Sequence, residues 1–318
     1  RITLMSAKSS TRRQFVKSAA TLSASLVCAP AIAVASKTDS EVIVGQGDHR
    51  YKVEHMWPKL PGQFTWQTTH NVALDSEGLL YVIHEGRFDQ KEHPSIFVFD
   101  PEGNYVRSFG KEYQGGGHGI EIRNEGGQDF LYLCLYHQQR SFAKLDTRGE
   151  QVWRQGAPMH TGLYVQGEDK YPRNKDDNPW GRDRFMPTNI AFHPDGGFYL
   201  ADGYGAFCVH RYDKDANWLE KFGSTSTPAE EDGKFNLPHG IWIDDRKTGE
   251  PLVVVADRAN ARLQWFTLAG EHRQTLEGFL LPANIDTRGE VMLVPDLVGR
   301  VTLLDGDNKV IAQLGDDS

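Results

Sequence analysis

The sequence predicts an all-β fold, a propeller of four-stranded blades, and three observations predict it. A segment pattern recurs five times, opening near residues 70, 118, 188, 239 and 283. Within each copy, apolar and polar residues alternate with the period of a β-strand. Outside the N-terminus, no stretch carries an apolar stripe at helical spacing. Apart from one long interval, the spacing matches the ~40–45 residues of a four-stranded blade.

The first copy runs from Asn71-Val72-Ala73-Leu74-Asp75 through Leu80–Ile83 and Ile96–Asp100 to Tyr105–Gly110. The second passes from His118 through Leu131-Tyr132-Leu133 and Phe142–Asp146 to Val152-Trp153. The third passes from Thr188 through Phe198–Asp202 and Val209–Asp213 to Phe222-Gly223. The fourth runs from His239 through Val253–Asp257 to Leu263–Phe266, and the fifth from Ala283 through Met292–Asp296 and Val301–Asp305 to Gln313–Gly315. Asp202, Asp257 and Asp296 recur at the end of the second strand, where a carboxylate accepts turn amides. The long interval is explained by residues 155–184, rich in Pro, Gly, Asp and Lys, which read as a loop insertion on one face. A propeller domain over 61–318 follows, preceded by a linker and N-terminal strands over 36–60 that would close the last blade.

The N-terminus reads differently. Thr11-Arg12-Arg13-Gln14-Phe15-Val16-Lys17 has the form of a twin-arginine export signal, followed by an Ala- and Ser-rich apolar run from Ser18 to Ala35. That run is too short for a convincing membrane span. Residues 1–35 therefore read as a signal peptide, and the expected location is periplasmic or secreted, without a stable membrane anchor. These residues hold five bases (Arg1, Lys8, Arg12, Arg13 and Lys17) and no acid. The remaining chain has 30 basic and 43 acidic residues, a net charge of −13 against −8 for the whole sequence. So acidic a surface repels phosphate backbones and excludes nucleic acid as a partner. Cys134 and Cys208 are too few for a disulfide framework and read as buried free thiols.

Aligning the blade openings gives two columns. The first reads His70, His118, Thr188, His239, Ala283, and the second reads Asn71, Gly119, Asn189, Gly240, Asn284. Both fall at the start of the innermost strand, beside the central channel. Three imidazoles in one column suit zinc or another divalent transition metal, with an open coordination position for catalysis. His193, His210 and His272 have no column partners and are expected at the surface. The tryptophans are expected to pack blades, except Trp66 and Trp180, whose loops place them near a ligand.

The repeats resemble the NHL repeat. Asp257-Arg258-Ala259-Asn260-Ala261-Arg262-Leu263-Gln264-Trp265-Phe266 carries the likeness most clearly, together with the Pro238-His239-Gly240-Ile241 opening. That resemblance implies six blades, of which five are visible. The whole pattern, over about residues 60 to 270, is also similar to peptidyl-α-hydroxyglycine α-amidating lyases. The resemblance implies zinc ligands at His118 and His239, a third ligand in a sixth blade, and His70 as an extra or substitute ligand. Ala201-Asp202-Gly203-Tyr204 matches the motif of the family's catalytic tyrosine, which puts that role on Tyr204. Ala256-Asp257-Arg258-Ala259-Asn260 likewise puts a catalytic arginine at Arg258. A structural calcium would take backbone oxygens of Val72 and Ile120. One departure stands out. In Ile83-His84-Glu85-Gly86-Arg87, Glu85 replaces the family's arginine and Arg87 follows two residues later, so both are expected to face the substrate.

The function expected from this resemblance is metal-dependent, lyase-like cleavage of a C–N bond in a peptidyl-α-hydroxyglycine or similar hemiaminal, giving an amide and glyoxylate. The expected partner is a small-molecule or peptide substrate, and the expected state is a monomer. Two alternatives remain open: a non-catalytic propeller that binds a protein or glycan, and a calcium-dependent, lactonase-like hydrolase. The latter needs an axial carboxylate beside Asn71, Asn189 and Asn284, and the repeat alignment shows none.

Overall fold

The computed structural model describes residues 42–174, 177–225, 231–247 and 249–315. The twin-arginine motif and the apolar run behind it lie outside the described residues. None of the helices described is long and apolar enough to cross a membrane; only three short 3-10 turns occur among the described residues.

Five four-stranded antiparallel sheets form the five blades. In the first, β3 (Thr69–Leu74), β4 (Leu80–His84), β5 (Ile96–Phe99) and β6 (Tyr105–Phe109) pair in sequence order. The second holds β7 (Gly117–Glu125), β8 (Gln128–Leu135), β9 (Ser141–Asp146) and β10 (Gln151–Gln155). The third holds β11 (Asn189–Phe192), β12 (Phe198–Asp202), β13 (Cys208–Tyr212) and β14 (Trp218–Phe222). The fourth holds β15 (Pro238–Asp244), β16 (Leu252–Asp257), β17 (Arg262–Phe266) and β18 (His272–Glu277). The fifth holds β19 (Asp286–Arg288), β20 (Val291–Asp296), β21 (Arg300–Leu304) and β22 (Val310–Gly315). A hairpin of β1 (Val42–Gln46) and β2 (His49–Val53) precedes them, with β1 beside β22.

The middle strands β4, β8, β12 and β16 are almost wholly buried, because both faces of each sheet meet a neighbour. Apolar side chains fill four seams between consecutive blades. In the second seam Trp153 stacks on Phe198 and Phe198 on Tyr212, and Tyr132 and Phe142 close edge-on. Burying each such ring contributes on the order of 2 kcal/mol. The recurring aspartates do what their position predicts. Asp202 accepts the amides of Met186 and Ala206, Asp257 that of Asn236, and Asp296 those of Leu280 and Leu281.

Cys134 and Cys208 are buried free thiols. His210, expected at the surface, is instead fully buried in β13. The Trp218 indole N–H donates to its Nδ1 (3.0 Å), and its Nε2 donates to the Tyr164 hydroxyl (2.6 Å). That hydroxyl in turn donates to Asp202 (2.9 Å). The inserted loop made the difference, since Tyr164 from that loop, with Phe185 just after it, covers a strand position that would otherwise face water.

Candidate functional site

The inner strands β3, β7, β11 and β15 lie side by side around the axis. All three column histidines sit at an interruption of strand register. Pairing skips between Thr69 and Asn71, between Gly117 and Gly119, and between Pro238 and Ile241. The fifth blade carries the same one-residue shift across Ala283, between the Pro282–Asp296 bridge and the Asp286–Leu293 pair, so the interruption belongs to the repeat and not to the histidines alone. A bulge adds one residue to a strand and re-aims a side chain, and here it turns each histidine onto the axis. The glycine after two of them is a spacing requirement. A Cβ at Gly119 would strike the backbone of Thr188 and Asn189, and one at Gly240 that of Asn284.

The structure brings the three rings together. His70 stacks on His118 with centroids 4.4 Å apart, and His239 meets His118 edge-on at 4.8 Å. His118 is 2 % exposed and His239 9 %. The His118 Nδ1–H donates to the Thr188 carbonyl (2.8 Å) and the His239 Nδ1–H to that of Ala283 (2.6 Å). Each bond fixes the tautomer that leaves Nε2 bare. Burial lowers the pKa of both rings, His118 well below the usual histidine value and His239 to about 3, with Arg258 adding to the shift in His239. Both are therefore neutral at physiological pH. The Nε2 atoms of His118 and His70 are buried with no hydrogen-bond partner.

Neutral imidazoles with bare, buried Nε2 atoms fit a borderline transition metal in donor type and protonation state. Among the described residues, however, no three His, Cys, Asp or Glu groups already form a metal cage. The stacked His70 and His118 rings would have to turn to share an ion. Val72, which the sequence reading offered as a calcium ligand through its carbonyl, is 52 % exposed. The Ile120 carbonyl, the other such ligand, accepts the Asn71 amide (3.3 Å).

Tyr204 and Arg258 join the histidines. The Tyr204 hydroxyl donates to His239 Nε2 (3.1 Å) and accepts from Arg258 Nη1 (3.2 Å), and the guanidinium also lies over the tyrosine ring. Among the described residues no carboxylate pairs with Arg258. Tyr204 is held by the turn that Asp202 ties down.

Glu85 also faces the cluster, and Arg87 does not. Arg87 pairs with Asp89 in the open, both more than half exposed. The Glu85 carboxylate lies 3.8 Å from His70 Nε2 and 4.0 Å from His137 Nδ1. The His70 ring and the Tyr136 hydroxyl hold its pKa below the usual carboxylate range, against the opposing effect of burial.

Sequence reasoning missed Tyr136 and His137, which follow the second strand of the second blade and lie outside either column. Tyr136 touches His70, His118 and Tyr204. His137 has φ +50, a left-handed conformation uncommon for a residue with a side chain. The inserted loop delivers Trp180, 52 % exposed, over Tyr204 and His137. A buried Arg140–Glu168 ion pair ties this loop to the second blade, and Arg140 also reaches the Asn178 carbonyl (3.2 Å).

Deeper on the axis is a carboxyl the repeat alignment did not show. Glu121 hydrogen-bonds with Asn189 and Asn71, and burial pushes its pKa up to about 8. The amides of Asn189, Asn284 and Asn71 form a chain of hydrogen bonds at 2.9 and 3.3 Å.

No protein-family profile matches the chain. It is 28 % identical over 232 residues to human NHL repeat-containing protein 3, a match covering 68 % of this chain and 56 % of that protein. It is 26 % identical over 175 residues to a probable peptidyl-alpha-hydroxyglycine alpha-amidating lyase of Caenorhabditis elegans, covering 54 % and 43 %. The chain thus spans about half the length of these curated relatives. Among solved structures it resembles a chain of a nidogen/laminin complex, with TM-score 0.54 and 16 % identity over 78 % of this chain and 80 % of that one. It also resembles a Bacteroides caccae protein of unknown function, with TM-score 0.52 and 11 % identity over 84 % and 85 %. The two structural likenesses speak for the fold alone. Fold and sequence together make this chain a β-propeller of five four-stranded blades whose homologues are NHL-repeat proteins.

Proposed function

We propose that this chain is an exported, metal-dependent lyase that cleaves the C–N bond of a peptidyl-α-hydroxyglycine or a similar hemiaminal. The observation that carries the reading is the contact of Tyr204 with His239 on one side and with a carboxylate-free Arg258 on the other. The C. elegans relative supports the substrate class. His118 and His239, with His70, would hold zinc or another divalent transition metal. That ion, when bound, supplies Lewis acidity to the substrate's carbinol oxygen.

The rest of the chemistry falls to side chains. Arg258 binds the carboxylate that leaves as glyoxylate, a charge-assisted contact. Tyr204 sits between that arginine and the histidines, and takes the carbinol proton as general base. As the C–O bond becomes the aldehyde, the C–N bond breaks, and Tyr204 returns the proton to the departing amide nitrogen. Trp180 and Tyr136 wall the site against water. In the whole protein a sixth blade would close the ring. Its support is the exposed apolar surface between the fifth and first blades, formed by Val72, Leu293 and Leu297. The twin-arginine motif supports export to the periplasm or beyond.

Glu121 favours a second reading, a calcium-dependent, lactonase-like hydrolase, because it supplies the axial carboxylate which that chemistry requires. Burial pushes its pKa up to about 8, so calcium binding there would have to displace a proton.

Metal analysis paired with a glyoxylate assay on the full chain tests both. About one zinc per chain is expected, together with glyoxylate release from a model α-hydroxyglycine peptide. Both are expected to disappear on joint His118→Ala and His239→Ala substitution. Calcium without zinc would move the assignment to the hydrolase. Absence of both metals would make the propeller a non-catalytic platform for a protein or glycan.

A further inference from the structure

Glu85 is an anion without a fixed cation. Among the described residues, no lysine or arginine lies within ion-pair distance of it, and the nearest basic groups are the His70 and His137 rings. Burial, the largest effect on His137, lowers that ring's pKa, against the opposing pull of Glu85. The backbone that carries Glu85 is fixed by bonds to Thr68, Gly116 and Gly117. Tyr136 lies against the carboxylate, and aromatic rings continue outward from there. Tyr136 and Tyr204 lie 5.4 Å apart, Trp180 and Tyr204 6.0 Å, and Trp180 and His137 6.1 Å. Glu85 and Arg258 act on the same Tyr136 hydroxyl with opposite sign. The site is therefore dipolar, with an unpaired anion on one side and an unpaired cation on the other.

An unpaired carboxylate beside exposed aromatic faces binds ammonium and guanidinium groups through charge-assisted hydrogen bonds and cation–π attraction. We propose that Glu85, with Trp180 and Tyr136, forms a subsite for a cationic group of the substrate, so that the preferred substrate is a peptide with an ammonium or guanidinium near its terminal carboxylate. The proposal rests on the lyase reading for what Arg258 holds. Glu85 is then the residue that sets specificity, and Trp180 the loop-borne face that covers the bound cation.

The test uses a matched pair of inert ligands, N-acetyl-lysyl-glycine and N-acetyl-norleucyl-glycine, titrated calorimetrically into the metal-loaded full chain. They differ chiefly in the terminal ammonium and, lacking the α-hydroxyl, are not turned over. The lysyl peptide is expected to bind about tenfold tighter. The ratio should fall towards one in E85Q and invert in E85R. Were Glu85 only orienting His70, E85Q would weaken both peptides alike and leave the ratio unchanged. Equal affinity of the two peptides for the unsubstituted protein, or binding of neither, overturns the proposal without relying on any variant. The α-hydroxylated pair separates this result from the lyase reading. A lysyl preference in binding with no glyoxylate released removes the lyase reading and keeps the subsite. Equal glyoxylate release from both peptides keeps the lyase reading and removes the subsite.

Discussion

The seam between the second and third blades and the gap between the fifth and first are built from similar residues and reach opposite ends. In the seam, Phe142, Phe198, Tyr132 and Tyr212 are almost fully buried, each ring against two or more others. In the gap, Val72, Leu74, Leu293 and Leu297 are 38–63 % exposed beside a cleft of about 860 Å³ that runs inward to His70, His118 and His239. Apolar patterning on a strand gives a sheet two adhesive faces, and whether a face is buried depends on the neighbouring blade. The first blade partly covers its own free face, because Trp57, Leu60, Phe64 and Trp66 lie over Val82, Phe97 and Phe99. The fifth blade meets the β1 hairpin at β22, but its Leu293 and Leu297 stay exposed.

Phe198→Ala should show the closed seam at its strongest. Removing a wholly buried ring stacked on Trp153 and Tyr212 is expected to cost about 4 kcal/mol, read from urea unfolding. A loss below about 1 kcal/mol would mean that the seam is loosely packed.

Acid offers an intermediate effect. His210, beside the same seam, is held by burial at about 3, well below its ordinary value. A histidine depressed in this way adds stability that is complete above its unfolded pKa of ~6.5 and is lost as pH falls towards 3. From pH 7 to pH 5 the loss should approach 2 kcal/mol. Asp202, pushed up to about 6 by its burial, works in the opposite sense and is retained in the comparison. His210→Gln should therefore lose less stability than the unsubstituted chain over this interval. Identical losses in the two proteins would remove His210 as the cause.

The smallest effect is expected in the gap. Leu297 is 60 % exposed, so Leu297→Ser in this chain should change stability by less than about 0.5 kcal/mol. Repeating the substitution in a longer form of the protein sharpens the contrast. A cost of about 2 kcal/mol there would show the face covered by further chain, and no change would show it open.

The blades were legible because they are local. Each is a run of alternating residues closed by an aspartate turn, as in Phe198–Asp202, so a sequence window holds the whole instruction. The three column histidines, His70, His118 and His239, were legible for a related reason, since repeats carry equivalent positions to equivalent places. Tyr136, His137 and Glu121 escaped because none recurs. Glu121 is placed by the approach of β3 and β11 on either side of β7, a fact of ring closure that no single repeat contains. His210 was misread because its burial depends on Tyr164 from an insertion 46 residues away. Trp180 was expected near a ligand from its loop, but its position over Tyr204 depends on a buried ion pair between the insertion and the second blade, which no repeat encodes.

The two carbonyl bonds that aim His118 and His239 share one feature: in each, the acceptor belongs to the opening of the following blade, at Thr188 and at Ala283. A repeat unit thus carries both a ring and the backbone oxygen that orients the ring before it. Duplicating or exchanging one unit by recombination would bring in a correctly aimed imidazole with no compensating change elsewhere. Such a molecule can gain or shed an axial histidine one module at a time, which offers a route by which a plain scaffold acquires a polar axis and reverts.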